Sequence, residues 1–225
     1  MKMKFGAIVV DGRGKIGGHV ASKNRAGAYL RTKVTPVNPN TVAQQAVRAI
    51  LSSLATSWAE LTDAQRLGWN EAVADFASTD IFGDTKNPSG FNLYVKLNSN
   101  LLNSGQVQID DAPAKLEVPF AELDSALGEV SPAELVINTV GNNYDGAVVV
   151  FSASGIVSAG ITNVKSRMRN IGVSTFTAGA VDIIALYEAK FGALVAGGNL
   201  TIGVEVVLAN GQKSVKQTIK ATIIA

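Results

Sequence analysis

The spacing of apolar residues changes twice along this chain, and that change restricts it to a mixed fold. From Ala28 to Val34 the alternation is two-fold, with Ala28, Leu30, Thr32 and Val34 on one face and Tyr29, Arg31 and Lys33 on the other. The spacing then becomes helical. Val47, Ile50, Leu51, Leu54, Trp58 and Leu61 form one stripe, Leu67, Trp69, Val73 and Phe76 a second, and Phe91, Tyr94, Val95, Asn98 and Leu101 a third. After Gly105 the two-fold period returns. A stripe at helical spacing cannot be laid out as a strand without splitting its apolar residues between two faces. The expected class is therefore α+β. A β-arm is expected over 1–37, a helical region over 38–105, a boundary segment over 106–132, and an immunoglobulin-like antiparallel β-sandwich over 133–225.

Local signals place the elements. Thr41-Val-Ala-Gln44 and Thr62-Asp-Ala-Gln65 have capping-box spacing, in which a threonine hydroxyl and a glutamine amide satisfy each other's backbone donors at a helix start. A third helix is expected after Pro88-Ser-Gly90, and residues 78–89 read as a polar loop. So few residues separate the first two helices that they should form a hairpin, with Trp58 and Trp69 near its bend. Arg48 and Arg66 lie on that hairpin and are expected to help fix it to the arm. In the arm, Phe5–Val10 reads as a short strand and Asn24-Arg-Ala-Gly27 as a turn. Pro113, Pro119 and Pro132 punctuate the boundary segment. Strands are expected over Glu134–Val140, Ala147–Ser152, Val164–Val173, Asn199–Leu208 and Ser214–Ile224, the last two joined at Asn210-Gly211, a strong hairpin signal between β-branched runs. Ile183–Phe191 is read as a short helix or a crossing segment.

Charge is as segregated as period. Lys2, Lys4, Arg13, Lys15, Lys23, Arg25, Arg31 and Lys33 fall within the first 36 residues against the single acid Asp11, so that segment carries about +7 and the rest of the chain about −5. With 47% hydrophobic and only 17% charged residues, the chain has little polar surface with which to cover itself, which points to burial in an oligomer or a particle. It has no cysteine, so disulfides, thiolate catalysis and Cys-based zinc sites are excluded. The apolar stretch behind Met-Lys-Met-Lys is too short for a signal peptide, and no run has the ~20 apolar residues of a membrane span. A soluble product made in the cytoplasm is expected.

The motifs offer little catalysis. Gly12-Arg-Gly14-Lys-Ile-Gly17 has the literal G-x-G-x-x-G form of a dinucleotide loop. It is followed by Gly18-His-Val-Ala-Ser rather than an amphipathic helix, and no acid lies between Asp11 and Glu60 to hold a ribose, so it reads as a glycine-rich hairpin. His19, the one histidine, has no acid nearby to orient it. Asp110 and Asp111 are adjacent on an extended segment and point to opposite faces, which suits a solvated boundary rather than a chelating pair. No catalytic residue, metal site or cofactor is expected. The candidate partner-binding residues are Lys15, Lys23, Arg25, Tyr29, Arg31 and Lys33. Three readings of them stand open. They dock an acidic protein surface, they contact nucleic acid through phosphates with Tyr29 stacking, or they are the solvated charges that keep an edge strand from aggregating.

Gly17-Gly18-His-Val, Arg25 through Arg31, and Thr35-Pro-Val-Asn-Pro-Asn-Thr41 with Gln45 and Arg48 together resemble a family frequent in Bacteroidetes and their phages. Its members begin with a Gly-rich basic hairpin and end in an immunoglobulin-like sandwich. Val148-Val-Val-Phe151, Leu200–Leu208, Asn210-Gly211 and Ser214 continue the likeness, as do Trp58-x-x-Leu61, Trp69 and Ser89-Gly-Phe-Asn92. The resemblance implies a non-enzymatic virion protein, an auxiliary or decoration protein of a crAss-like phage capsid. Its partners would be other virion proteins, foremost the major capsid protein, with self-association possible, nucleic acid a lesser partner and no membrane contact. The competing readings are a cargo protein touching the genome and a tail or connector component.

Overall fold

A computed structural model describes residues 2–3, 12–118, 129–130, 135–138, 147–158, 160–161, 163–177 and 179–223. The expected strand Phe5–Val10, Pro119, Pro132 and the ends of the expected strand Glu134–Val140 lie outside the described residues. The class is mixed α+β, with an N-terminal antiparallel sheet, a helical middle and a C-terminal antiparallel sheet. The chain divides into two compact units, Met1–Ala49 with Ala77–Asn87, and Ile50–Phe76 with Pro88–Ala225.

In the first unit, β1 (Lys2–Met3), β2 (Gly14–Ile16), β3 (His19–Asn24) and β4 (Gly27–Thr32) form a sheet of order β1-β4-β3-β2. The G-x-G-x-x-G stretch is a hairpin. Gly14 opens β2, and Gly17, at φ +57°, turns the chain into β3 with no helix following. The helix α1 (Val42–Glu60) starts in this unit under its expected box. Gln44 N–H donates to Thr41 Oγ1 at 3.3 Å, and Thr41 N–H to Gln44 Oε1 at 3.2 Å.

α2 (Asp63–Glu71) carries the second box, Gln65 N–H donating to Thr62 Oγ1 at 3.3 Å and Thr62 N–H to Gln65 Oε1 at 3.0 Å. Each such cap stabilises its helix by about 1 kcal/mol. The expected polar loop contains a small hairpin, β5 (Ser78–Thr79) and β6 (Thr85–Lys86), whose strands are too short to show a period. α3 (Gly90–Asn103) begins where Asn92 N–H meets Ser89 Oγ at 3.2 Å.

Trp58 lies in the last turn of α1, near the bend, whereas Trp69 lies in the last turn of α2, away from it; each meets Tyr94 of α3, with ring centroids 5.2 Å apart in both pairs. The helical core gathers Leu54, Leu61, Trp69, Val73, Phe76, Leu93, Tyr94 and Leu97. Arg66 is engaged within its own unit: its guanidinium donates to the Ala59 and Leu61 carbonyls at 2.9 and 2.7 Å, closing the open end of α1. Arg48 instead holds the segment leading from the arm, donating to Asn38 Oδ1 at 2.7 Å and Asn40 Oδ1 at 3.1 Å.

The remaining strands are β7 (Glu129–Val130), β8 (Val136–Asn138), β9 (Val148–Ala153), β10 (Arg169–Thr175), β11 (Ala180–Asp182), β12 (Asn199–Val207) and β13 (Gln217–Ile223), with α4 (Ile184–Phe191) between β11 and β12. The main sheet runs β10-β9-β12-β13-β7, antiparallel except for the parallel pair β13 and β7. Register puts Val149, Phe151 and Ala153 of β9, Leu200, Ile202, Val204 and Val206 of β12, and Ile219, Ala221 and Ile223 of β13 on one face. The β8–β11 ladder and α4 supply the opposing layer, through Ile137, Val181, Ile183 and Tyr187 of the same core. The expected strand from Val164 begins later, because Lys165–Arg167 make a single 3-10 turn before β10.

An extended strap over 106–118 crosses from α3 to this half of the second unit. Asn98, fully buried on α3, clamps the Ile109 backbone with both ends of its amide, at 3.0 and 2.8 Å, which explains a polar residue on an apolar stripe. Trp69 Nε1 donates to the Asp110 carbonyl at 2.7 Å. The turn between β12 and β13 grips the other end of the strap. Asn210 Nδ2 donates to the Ala114 carbonyl at 3.1 Å and Leu116 N–H to Gln212 Oε1 at 2.7 Å, while Asn100 Nδ2 reaches the Gly211 carbonyl at 2.8 Å.

Gly211 has φ +80°, and a Cβ there would stand 2.5 Å from the Leu97 carbonyl oxygen and 2.9 Å from its Cα. Gly197 has a similar φ of +90° but open space around it. Gly197→Ala should therefore lose about 1–2 kcal/mol from backbone strain alone. Gly211→Ala should lose about 2–5 kcal/mol, because the helix backbone cannot yield. Urea midpoints of the two variants give the comparison.

Candidate functional site

Residues that face each other across an antiparallel ladder project to the same side of a sheet. In the N-terminal sheet Val20 pairs with both Lys15 and Arg31, and Tyr29 pairs with both Ser22 and Lys2. Both rows fall on one face. Lys2, Lys15, Tyr29 and Arg31 therefore share it, with Lys15 and Arg31 roughly 10 Å apart across the intervening strand. Lys33 lies one residue past β4, its backbone N–H donating to the Gly18 carbonyl at 2.7 Å. Lys15, Arg31 and Lys33 are exposed and Tyr29 is half-buried.

The other two candidates sit elsewhere. Lys23 pairs with Ala28 and points to the opposite face, and Arg25 is in the two-residue turn between β3 and β4. The structure thus gathers Lys15, Tyr29 and Arg31, with Lys33 beside them, and separates Lys23 and Arg25. It adds Lys2, which the sequence reading counted as charge but not as a contact residue. The pairing of β1 with β4 brings it there, and no local periodicity in a two-residue strand announces that pairing.

Among the described residues of the first unit, Ala21 is the one buried apolar side chain. Ile16, Val34, Val37, Val42, Val47 and Ile81 are all exposed. The ties among the described residues are ladder bonds and a few polar contacts.

One such tie is Asp80, at the tip of the β5–β6 hairpin, whose carboxylate lies 3.7 Å from Lys2 Nζ with a side-chain exposure of 3%. Its Oδ1 accepts from Phe82 N–H at 2.8 Å and Asp84 N–H at 3.1 Å. Burial by itself would raise the Asp80 pKa; the two N–H donors and the charges of Lys2 and Lys86 outweigh it and hold the group below its ordinary 3.8. A shallow recess of about 210 Å³ lies beside this tie, lined by Lys2, Asn24, Ala26, Gly27, Ala28 and Tyr29.

The arrangement offers cationic donors and one aromatic face to an anionic partner. His19 is exposed and pairs with Ile16 and Thr32 on the opposite side of the sheet. No cluster of three or more His, Asp or Glu that could hold a metal ion occurs among the described residues. Among those residues no helix is long and apolar enough to cross a membrane. No protein-family model, curated protein or solved structure matches this chain.

A lowered folded pKa contributes stability that is present above the unfolded value and is lost as pH falls through the folded one. The Asp80 tie should therefore persist through neutral pH and release only in acid, below the usual carboxylate range. A carboxyl-carbon NMR titration should place Asp80 below 3.8, and Lys2→Ala should move it upward. An unchanged titration in that variant would remove Lys2 from the account.

Proposed function

We propose that this protein is a non-enzymatic structural component of a phage virion, an auxiliary or decoration protein that docks on the capsid through its N-terminal sheet. The observation that carries this reading is the combination found in that sheet: a shared cationic face and one buried apolar side chain among the described residues of its unit. An element whose described residues bury so little apolar surface gains order from what it grips. The order of its motifs supports the virion setting, since it resembles a phage-associated family with the same Gly-rich basic start.

The mechanism is additive. Each exposed cation contributes little by itself in water, because solvent and salt screen it. Four or five acting together, joined by backbone and apolar contact and repeated at every position of a lattice, give high occupancy by multivalency. The major capsid protein is the natural partner on this reading, and the contact needs an acidic, partly apolar acceptor.

A second reading, contact with the genome, is favoured by one observation: Tyr29 lies on the same face as Lys2, Lys15 and Arg31, an aromatic between phosphate-binding cations. It would show as DNA affinity that falls steeply with salt. A tail or connector role would share the fold and differ in copy number.

Quantitative mass spectrometry of purified particles separates these. Hundreds of copies per particle are expected for a capsid role, about a dozen would indicate a connector, and absence from particles would overturn the proposal. Arg31→Glu with Lys33→Glu should lower occupancy by about tenfold or more while leaving the thermal midpoint of the chain unchanged.

A further inference from the structure

We propose that the sheet's docking partner is a second copy of this chain, the cationic face of one copy seating on the strap groove of the next. This inference rests on the docking character read above for the sheet and gives it an acceptor other than the major capsid protein. The groove lies in the second unit, between the strap and the β12–β13 turn. It is open, about 530 Å³, and lined by Ile109, Ala112, Pro113, Ala114 and Leu116 among others, with Asp110 and Asp111 contributing carboxylates. Leu116 is 48% exposed and Val107, also on the strap, 84%. These are apolar side chains that the chain's own packing leaves uncovered.

Charge complementarity selects the occupant. Gln65 Nε2 holds Asp111 at 3.1 Å, beside the start of α2, where Asp63 is fully exposed. Asp110 and Glu117 are exposed as well. Arg66 pairs with Asp63 at 3.6 Å and donates to the Ala59 and Leu61 carbonyls, and Lys115 donates to the Asp75 carbonyl at 2.7 Å. The groove is thus an apolar floor with the carboxylates of Asp110 and Asp111, neither in an ion pair among the described residues. Lys15, Arg31 and Lys33 make the matching set, all exposed and without an ion pair among the described residues. Tyr29, half-buried on the same face, gives the sheet an aromatic surface to offer the floor.

Both halves of the contact are encoded in one sequence, about +7 at the start and about −5 over the remainder. Each copy gives one sheet face and receives on one groove, so the contact either closes reciprocally between two copies or repeats head-to-tail as rings or rows.

Sedimentation velocity of the purified full chain tests it. At ~0.05 M salt the sedimentation coefficient should rise with protein concentration, and at ~0.5 M it should return to the monomer value. Arg31→Glu with Lys33→Glu should abolish association, and so should Asp110→Lys with Asp111→Lys; the milder Asp110→Asn with Asp111→Asn should weaken it while preserving the shape of the strap. An equimolar mixture of the two charge-reversed variants should associate again, since the sheet of the second fits the groove of the first. A monomer at every concentration in low salt, or association that ignores both reversals, overturns the inference. Particles that carry a strictly monomeric chain would refute self-docking and leave the capsid role standing, whereas absence from particles refutes that role whatever the chain does alone.

Discussion

The backbone of α3 and the Asn210-Gly211 turn approach so closely that no side chain fits between them. Much of the second unit follows from that contact. With Gly211 against Leu97, Asn100 reaches the turn's carbonyl, and Asn210 and Gln212 are placed to hold Ala114 and Leu116. The strap is then fixed at one end by Asn98 and Trp69 and at the other by the turn. Two hydrophobic cores, one among helices and one under a sheet, are joined through polar side chains satisfying backbone groups. Buried polar contacts of this kind specify one arrangement, because a shifted register would leave several groups unpaired.

Among the described residues, the first unit has no comparable interior. Its sheet is held by ladder bonds, by Arg48 bracing the Asn38–Asn40 segment, and by Asp80 joined to Lys2. The contrast is physical rather than a matter of size. Apolar residues are present in this part of the chain, but Ile16, Val34 and Val47 face outward. Burial against a partner would remove that surface from water, and the cations on one face would direct which partner arrives. The proposed docking role rests on this imbalance more than on any motif.

Much of the fold was legible because it is written in local chemistry. Two capping boxes and Ser89 announce the three helices of the middle region, and each starts where its cap stands. β-branched runs flanking Asn210-Gly211 announce β12 and β13. Short elements were not legible: β5 and β6 have two residues each, and the 3-10 turn at Lys165–Arg167 sits inside what reads as continuous strand. Long-range partners were equally hidden. Alternation put Tyr29, Arg31 and Lys33 on one face, yet only the pairing of β2 with β3 and of β1 with β4 adds Lys15 and Lys2 and sends Lys23 to the other side. Arg66 could be assigned to α2 but not to the carbonyls it satisfies.

By itself the sequence determined the α+β class, the helix starts, the Asn-Gly turn and the segregation of charge, because each depends on neighbours within a few residues or on composition. Tertiary structure decided which cations share a face, why Asn98 stands on an apolar stripe, and why residue 211 must be glycine. Those outcomes depend on registers and approaches between segments far apart in the chain, where packing geometry chooses among partners that local chemistry leaves equivalent.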